Sequence, residues 1–259
     1  MKLSKCLSRS SLIAILAIAV VLAMSACSKS NENTAKTIQA AIAPTVPPYM
    51  FEENNQPVGV DLEIFKGFCE SRGYTYKMKS YDFAGMLGAV ASGQADIAFS
   101  GISITEQREQ AMEFSNPYAH SSWNLVSLKK RNIHIKDLGQ LKKYSIGFPT
   151  GTVFMGYVQN TLEPQGYYSV SQVKLYPSYD EALTDLNNGV LDLVFVDDSM
   201  LATYINKLHL PFQSSYEIPY ADKVGFAFVK GSPIRDDFNK YLAELGPEKI
   251  KSYMTKWEK

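Results

Sequence analysis

The stretch from Gly93 to Tyr118, GQADIAFSGISITEQREQAMEFSNPY, restricts the fold more than any other part of the chain. Ala95-Asp96-Ile97-Ala98-Phe99 is a short apolar run that reads as a buried strand. The residues after it are small or carry hydroxyls: Ser100, Gly101, Ser103 and Thr105. Thr105 followed by Glu106 reads as a helix start, and Arg108 then falls in its first turn. A strand, a small-residue loop and a helix that opens with an arginine form an anion site in an open α/β sheet. Ligands of such sheets bind beyond the carboxyl ends of the strands, and helix N-terminal N–H groups point at them. A guanidinium matches a carboxylate with two parallel hydrogen bonds. No glycine-rich cradle with a following Lys-Ser/Thr pair is present in this stretch, so a carboxylate suits it better than a phosphate. The plainer alternative is a solvated arginine behind two capping hydroxyls.

The stretch as a whole weighs against that alternative. Asp96-Ile97, Ser100-Gly101, Ser103-Ile104-Thr105, Glu106, Arg108 and Phe114-Ser115-Asn116-Pro117-Tyr118 follow one another in a specific order. This order resembles the signature of bacterial extracellular solute-binding proteins of family 3, the amino-acid receptors of ABC importers. The resemblance extends over residues 38–257. It implies an α/β fold of the type II periplasmic-binding-protein kind: two lobes, each a mostly parallel sheet with flanking helices, joined by two hinge crossings.

Composition is consistent with a globular chain of this size. The 259 residues carry a formal net charge of +0 and are 46% hydrophobic and 20% charged. Zero charge argues against a nucleic-acid partner held through phosphates. Residues 1–26 read as a leader: Lys2, Lys5 and Arg9 precede an apolar run from Leu12 to Met24 that is short for a membrane span. Met24-Ser25-Ala26-Cys27 resembles a lipobox, which implies cleavage before Cys27 and its acylation, with palmitate among the expected chains. Residues 27–36 then read as a polar tether, and lipid rather than a transmembrane helix would hold the chain at a membrane facing the periplasm or exterior. Removing the leader takes three basic residues and no acid, leaving a net charge of −3. Cys69 is then the one cysteine of the folded part and reads as a buried small hydrophobe. His120, His134 and His209 stand apart without ligand spacing, so neither a metal nor another cofactor is expected.

The first lobe is expected over 37–120 plus 224–259. Strand residues from Ile38 to Ala43 meet Pro44, Pro47 and Pro48, which hold an extended loop. The resemblance implies an aromatic over the ligand here; the residue at this place varies, and Val46, Tyr49 and Phe51 are candidates, with Tyr49 favoured. A helix is expected to open near Pro57, with Asp61 as its N-cap. Tyr74 to Met78 reads as a strand and Met86 to Ala91 as a helix, the βαβ pattern of a parallel sheet. The resemblance implies that Phe83 packs on the ligand side chain.

The second lobe is expected over 121–223. Ser145 to Phe148 reads as a strand running into Pro149-Thr150-Gly151-Thr152. By resemblance, this loop helps bind the ligand carboxylate through Thr152; Val153 and Phe154 depart from the family's polar residues. Leu191 to Val196 reads as a strand ending in Asp197-Asp198. The resemblance assigns the ligand's α-ammonium to Asp197, and Asp198 is expected to cap the following helix. Val224 to Gly231 reads as the return strand, and helices from Pro233 onward close the first lobe.

The implied function is capture of a free amino acid by hinge closure and its delivery, as a monomer, to an ABC permease and its ATPase. Arg108 and Ser103, with Ser100, Gly101 and Thr152, would bind the carboxylate; Asp197 would bind the ammonium; Phe83 and Tyr49 would cover the side chain. Ala43, where receptors for basic amino acids carry an acid, and the apolar Val153 and Phe154 suggest a neutral ligand. The same fold also resembles periplasmic cyclohexadienyl dehydratases, which need a general acid or base in the cleft; none is assignable here, so an enzyme is not expected. A sensing receptor would carry transmembrane and signalling segments after the second lobe, and the sequence given ends at Lys259.

Overall fold

The computed structural model describes residues 36–259. The leader, Cys27 and all but the last residue of the tether lie outside the described residues. Among those described, no helix is long and apolar enough to cross a membrane.

Among the described residues, twelve strands and eight α-helices follow one another in α/β order. The first half contains β1 (Thr37–Ile42), β2 (Thr45–Val46), β3 (Met50–Glu53), β4 (Gln56–Val58), α1 (Val60–Arg72), β5 (Thr75–Ser80), α2 (Phe83–Ala91), β6 (Ile97–Ser103), α3 (Glu106–Glu109), β7 (Glu113–Phe114) and β8 (Ala119–Leu128). The second half contains β9 (Ile146–Pro149), α4 (Phe154–Tyr157), β10 (Lys174–Tyr176), α5 (Tyr179–Asn187), β11 (Leu193–Asp197), α6 (Asp198–Asn206), β12 (Phe212–Phe228), α7 (Arg235–Leu245) and α8 (Pro247–Glu258).

The main sheet has the order β10-β9-β11-β8-β12-β6-β1-β5, with β7 also paired to β12; β2, β3 and β4 form a separate small sheet. Parallel pairs lie at both ends: β5, β1 and β6 at one, β10, β9 and β11 at the other. Between them the long strands β8 and β12 run antiparallel and connect the two groups. These are the two expected crossings between lobes.

Local chemistry accounts for most element ends. Asp82 caps α2, its carboxylate accepting from the Gly85 amide at 2.6 Å. Ser178 caps α5 in the same way, accepting from the Glu181 amide. Gly246 ends α7, and Pro247 opens α8 at a position where its missing N–H costs nothing.

Several expectations change. The small residues Ser100 to Ser103 are not a loop but the end of β6, because β12 supplies backbone partners to Ile102 and Ser103. The helix carrying Arg108 is a single turn, with Thr105 capping it through the Arg108 amide at 3.2 Å. Asp61 does not cap α1, whose N-cap is Gly59. Gln56 to Val58 forms strand β4, so α1 opens at Val60 rather than Pro57. The return strand begins as far back as Phe212, since β8 offers a partner along its whole length.

Under the β1–β6 face, α1 and α7 enclose an aromatic cluster. Phe238 is fully buried, with ring centroids 4.6 Å from Phe226, 4.9 Å from Phe68 and 5.4 Å from Phe228. Cys69 is buried beside them, and desolvation pushes its thiol up to about 12, an unreactive state. Phe238→Ala is expected to destabilise the protein by about 3–5 kcal/mol through lost transfer energy and a residual cavity. Urea unfolding would read this as a lowered midpoint at unchanged slope.

Candidate functional site

The site forms where the C-terminal end of β6 faces the loop after β9 and the C-terminal end of β11. A cavity of about 30 Å³ lies there, lined among others by Val46, Phe83, Gly101, Ser103, Arg108, Thr152 and Asp197. Six of the eight residues expected to bind ligand therefore reach one space. That volume holds one or two waters rather than an amino acid, so a larger ligand requires the two sides to part.

Arg108 spans the gap. Its Nη1 donates to the Ser103 carbonyl at 2.6 Å, and its Nη2 donates to the Gly151 carbonyl on the opposite loop at 2.9 Å. The guanidinium carbon lies 5.7 Å from the Phe83 ring centroid. Burial lowers its pKa to about 10, with Asp222 opposing the shift, so it stays charged at neutral pH. No described carboxylate lies within salt-bridge distance of it.

Asp197 closes the far wall. It, and not Asp198, is the N-cap of α6: its Oδ1 accepts from the Met200 amide at 2.7 Å. Asp198 accepts from the adjacent Ser199 amide instead. One carboxylate thus both caps a helix and lines the cavity. Desolvation raises its pKa well above the ordinary range, with the Met200 hydrogen bond acting against that.

The loop opposite contributes Thr152, whose hydroxyl donates to the Pro149 carbonyl at 2.8 Å. Gly151 has φ 84°, and a Cβ there would sit 3.0 Å from Ala84 at the start of α2. The glycine lets the two sides approach this closely. Val153 and Phe154 line the cavity as apolar wall.

Two expected ligand residues do not face the cavity. Ser100 is fully buried, and its hydroxyl is used within the fold: it accepts from the Ala43 amide at 2.9 Å and donates to the Phe99 carbonyl. Tyr49 is also fully buried. Its ring packs behind Gly101, where a Cβ would come within 2.5 Å of it. Gly101 adopts φ 62°, so the ring and the backbone both exclude a side chain there. Val46, another candidate from the same loop, takes the lining position.

Asp61 explains how this loop is held. It is fully buried; its Oδ2 accepts from the Gly101 amide at 2.8 Å, and its Oδ1 accepts from the Tyr118 hydroxyl. The carboxylate pins the β6 end from behind, through a residue of α1.

Reading the sequence missed Asp222, Trp123, Tyr179 and Ser121, all of which line the cavity. Asp222 and Ser121 are paired across β12 and β8. An acid two residues before the expected return strand at Val224 was the available signal, but nothing in the sequence showed that β12 extends back to it or which face it occupies.

Comparisons with known proteins agree with this geometry. The family model for bacterial extracellular solute-binding proteins, family 3, matches residues 38–259. An arginine-binding periplasmic protein of Mannheimia haemolytica is 32% identical over 208 residues, covering 78% of this chain and 82% of the relative. A probable amino-acid-binding protein of Bacillus subtilis (strain 168) is 25% identical, covering 89% and 88%. A solved structure of an ancestral arginine-binding protein bound to arginine superposes with a TM-score of 0.76 at 28% identity, covering 85% of this chain and 97% of that one.

The buried pin has a measurable consequence. Burial raises the Asp61 carboxyl from 3.8 to about 7, with the Tyr118 and Gly101 hydrogen bonds opposing. Between those values the folded state holds a proton that the unfolded state releases, so this group's contribution to stability falls as pH rises from about 4 to about 7. Asp61→Asn removes the titration while keeping an acceptor. Its stability relative to wild type is expected to rise by on the order of 3 kcal/mol between pH ~4.5 and pH ~7.5. Parallel unfolding free energies across that range would contradict it.

Proposed function

The chain belongs to the bacterial extracellular solute-binding proteins, family 3, and we propose that it captures a free α-amino acid outside the cytoplasmic membrane and presents it to an ABC permease and its ATPase. The observation that carries this reading is that Arg108 and Asp197, opposite charges from opposite sides of the cleft, line one cavity without a salt-bridge partner. A zwitterion supplies the two missing partners: its carboxylate for Arg108, with Ser103, Gly101 and Thr152 around it, and its ammonium for Asp197. Phe83 and Val46 wall the space beside them. The named relatives support the class, since each carries an amino acid or arginine in its description.

Lobes of 37–120 plus 224–259 and of 121–223 would turn about β8 and β12 to admit the ligand. Closure would then re-form the bridge that Arg108 makes to Gly151 and the pairing of Lys207 with Glu53 at 3.3 Å. The protein would act as a monomer, held at a membrane by lipid on Cys27 after removal of residues 1–26. A binding role, rather than catalysis, fits the assignment of both Arg108 and Asp197 to ligand charges. Turnover of prephenate or arogenate would move the chain to the other class.

The neutral ligand suggested by Ala43, Val153 and Phe154 finds support in the apolar walls but none in the named relatives.

Two tests follow. Arg108→Ala removes the charged partner of a desolvated carboxylate, and calorimetric titration with the amino acid that binds wild type is expected to lose about 2–5 kcal/mol of affinity; a Kd within about threefold of wild type would refute the assignment. Palmitate labelling of cells expressing the protein is expected to vanish in Cys27→Ala, and labelling that survives would remove the lipid anchor.

A further inference from the structure

Three acidic or basic side chains line the cavity, Arg108, Asp197 and Asp222, and a zwitterion satisfies two of them. Asp222 is the third. It sits on β12 next to a register shift between Ile218 and Asp222, paired with Ser121 of β8. The Arg108 charge and the nearby Ser103 hydroxyl, Trp123 indole N–H and Lys223 amide all favour its ionised form. No described lysine, arginine or histidine forms a salt bridge with it. When both carboxylates are ionised, Asp197 and Asp222 outnumber Arg108 by one charge. A ligand of zero net charge leaves that excess in place. A carboxylate drawn partly out of water is held best with a cation beside it.

Asp222 also marks a direction. Beside the small cavity lies an open groove of about 980 Å³, and Asp222, Trp123, Arg108, Thr152 and Val153 line both spaces. A long side chain has room to leave the cavity toward this groove, past Asp222 and across the indole of Trp123. An aromatic face next to a carboxylate suits a planar guanidinium or an ammonium on an aliphatic stem.

Resting on the receptor reading above, we propose that Asp222 is the specificity-determining residue for side-chain charge: it receives the cationic end of a basic amino acid, with Trp123 as the stacking wall. The preference for a cation then comes from the crossing strand β12. The position at Ala43, which carries no acid, does not decide it. Desolvation raises the Asp222 carboxyl above its ordinary value, and the neighbouring Ser103, Lys223 and Trp123 donors and the Arg108 charge oppose that shift.

L-arginine and L-citrulline have nearly the same shape and differ in side-chain charge, so they separate this role from mere packing. Calorimetric titration of the full-length chain is expected to show arginine binding at least about 30-fold more tightly than citrulline. In Asp222→Asn that ratio is expected to collapse to within about threefold. Asp222→Glu, which keeps the charge, is expected to retain a preference for arginine. A wild type that binds citrulline as tightly as arginine overturns the proposal, whatever the variants do. So does an Asp222→Asn protein that keeps the wild-type ratio. If wild type binds another neutral amino acid and neither arginine nor lysine, this inference falls and the receptor reading stands. If none of the twenty amino acids binds, the receptor reading itself falls and the inference with it.

Discussion

A desolvated arginine without a carboxylate partner is the constraint around which this molecule is arranged. Taking a guanidinium out of water is costly unless its N–H groups are satisfied. Here they are satisfied by backbone carbonyls from both sides of a cleft, Ser103 at 2.6 Å and Gly151 at 2.9 Å. Those carbonyls meet the hydrogen-bonding need but only part of the charge. The same is true of Asp197, which accepts a helix-capping amide and still lines the cavity. The cleft is held together by polar contacts that a ligand with stronger complementary charges can replace.

The scaffold serves that arrangement from behind. The end of β6 must place Gly101 and Ser103 at the cavity, and two buried groups hold it there: the Asp61 carboxylate on the Gly101 amide and the Tyr49 ring against its Cα. Both residues come from the segment before and within α1, so that segment positions a strand end some forty residues later. The crossing strands have a second task. Ser121 and Trp123 on β8 and Asp222 and Val224 on β12 all face the cavity, so the hinge is also part of the wall. A ligand that touches the crossing strands can couple side-chain recognition to closure.

The site was partly legible in the sequence for chemical reasons. Arg108, Ser103 and Thr105 lie within one short segment, so spacing alone brings them together, and Thr105 does cap the turn that carries Arg108. Asp197 stands at the end of an apolar run, where a strand must stop. Tyr49 was misplaced because three residues of a proline-bounded loop were equivalent by pattern, and only packing against Gly101 decides which of them turns outward. Ser100 was misplaced because a buried hydroxyl and a ligand-facing hydroxyl look the same until the Ala43 amide is seen to bind it. Asp222 was missed because its partners, Ser103 and Trp123, lie far away in sequence.

The order of strands and helices, the apolar faces and the local caps follow from the chain by itself, because periodicity and capping act over a few residues. Its family signature also lies in one contiguous segment. What tertiary structure alone decided was pairing over distance. It turned a small-residue loop into the end of β6, extended β12 back to Phe212, gave the α6 cap to Asp197 instead of Asp198, and set a second carboxylate beside Arg108. The physical reason is the same in each case: backbone hydrogen bonds and buried charges are satisfied by whatever the fold brings near, and that neighbour is not written beside them in the sequence.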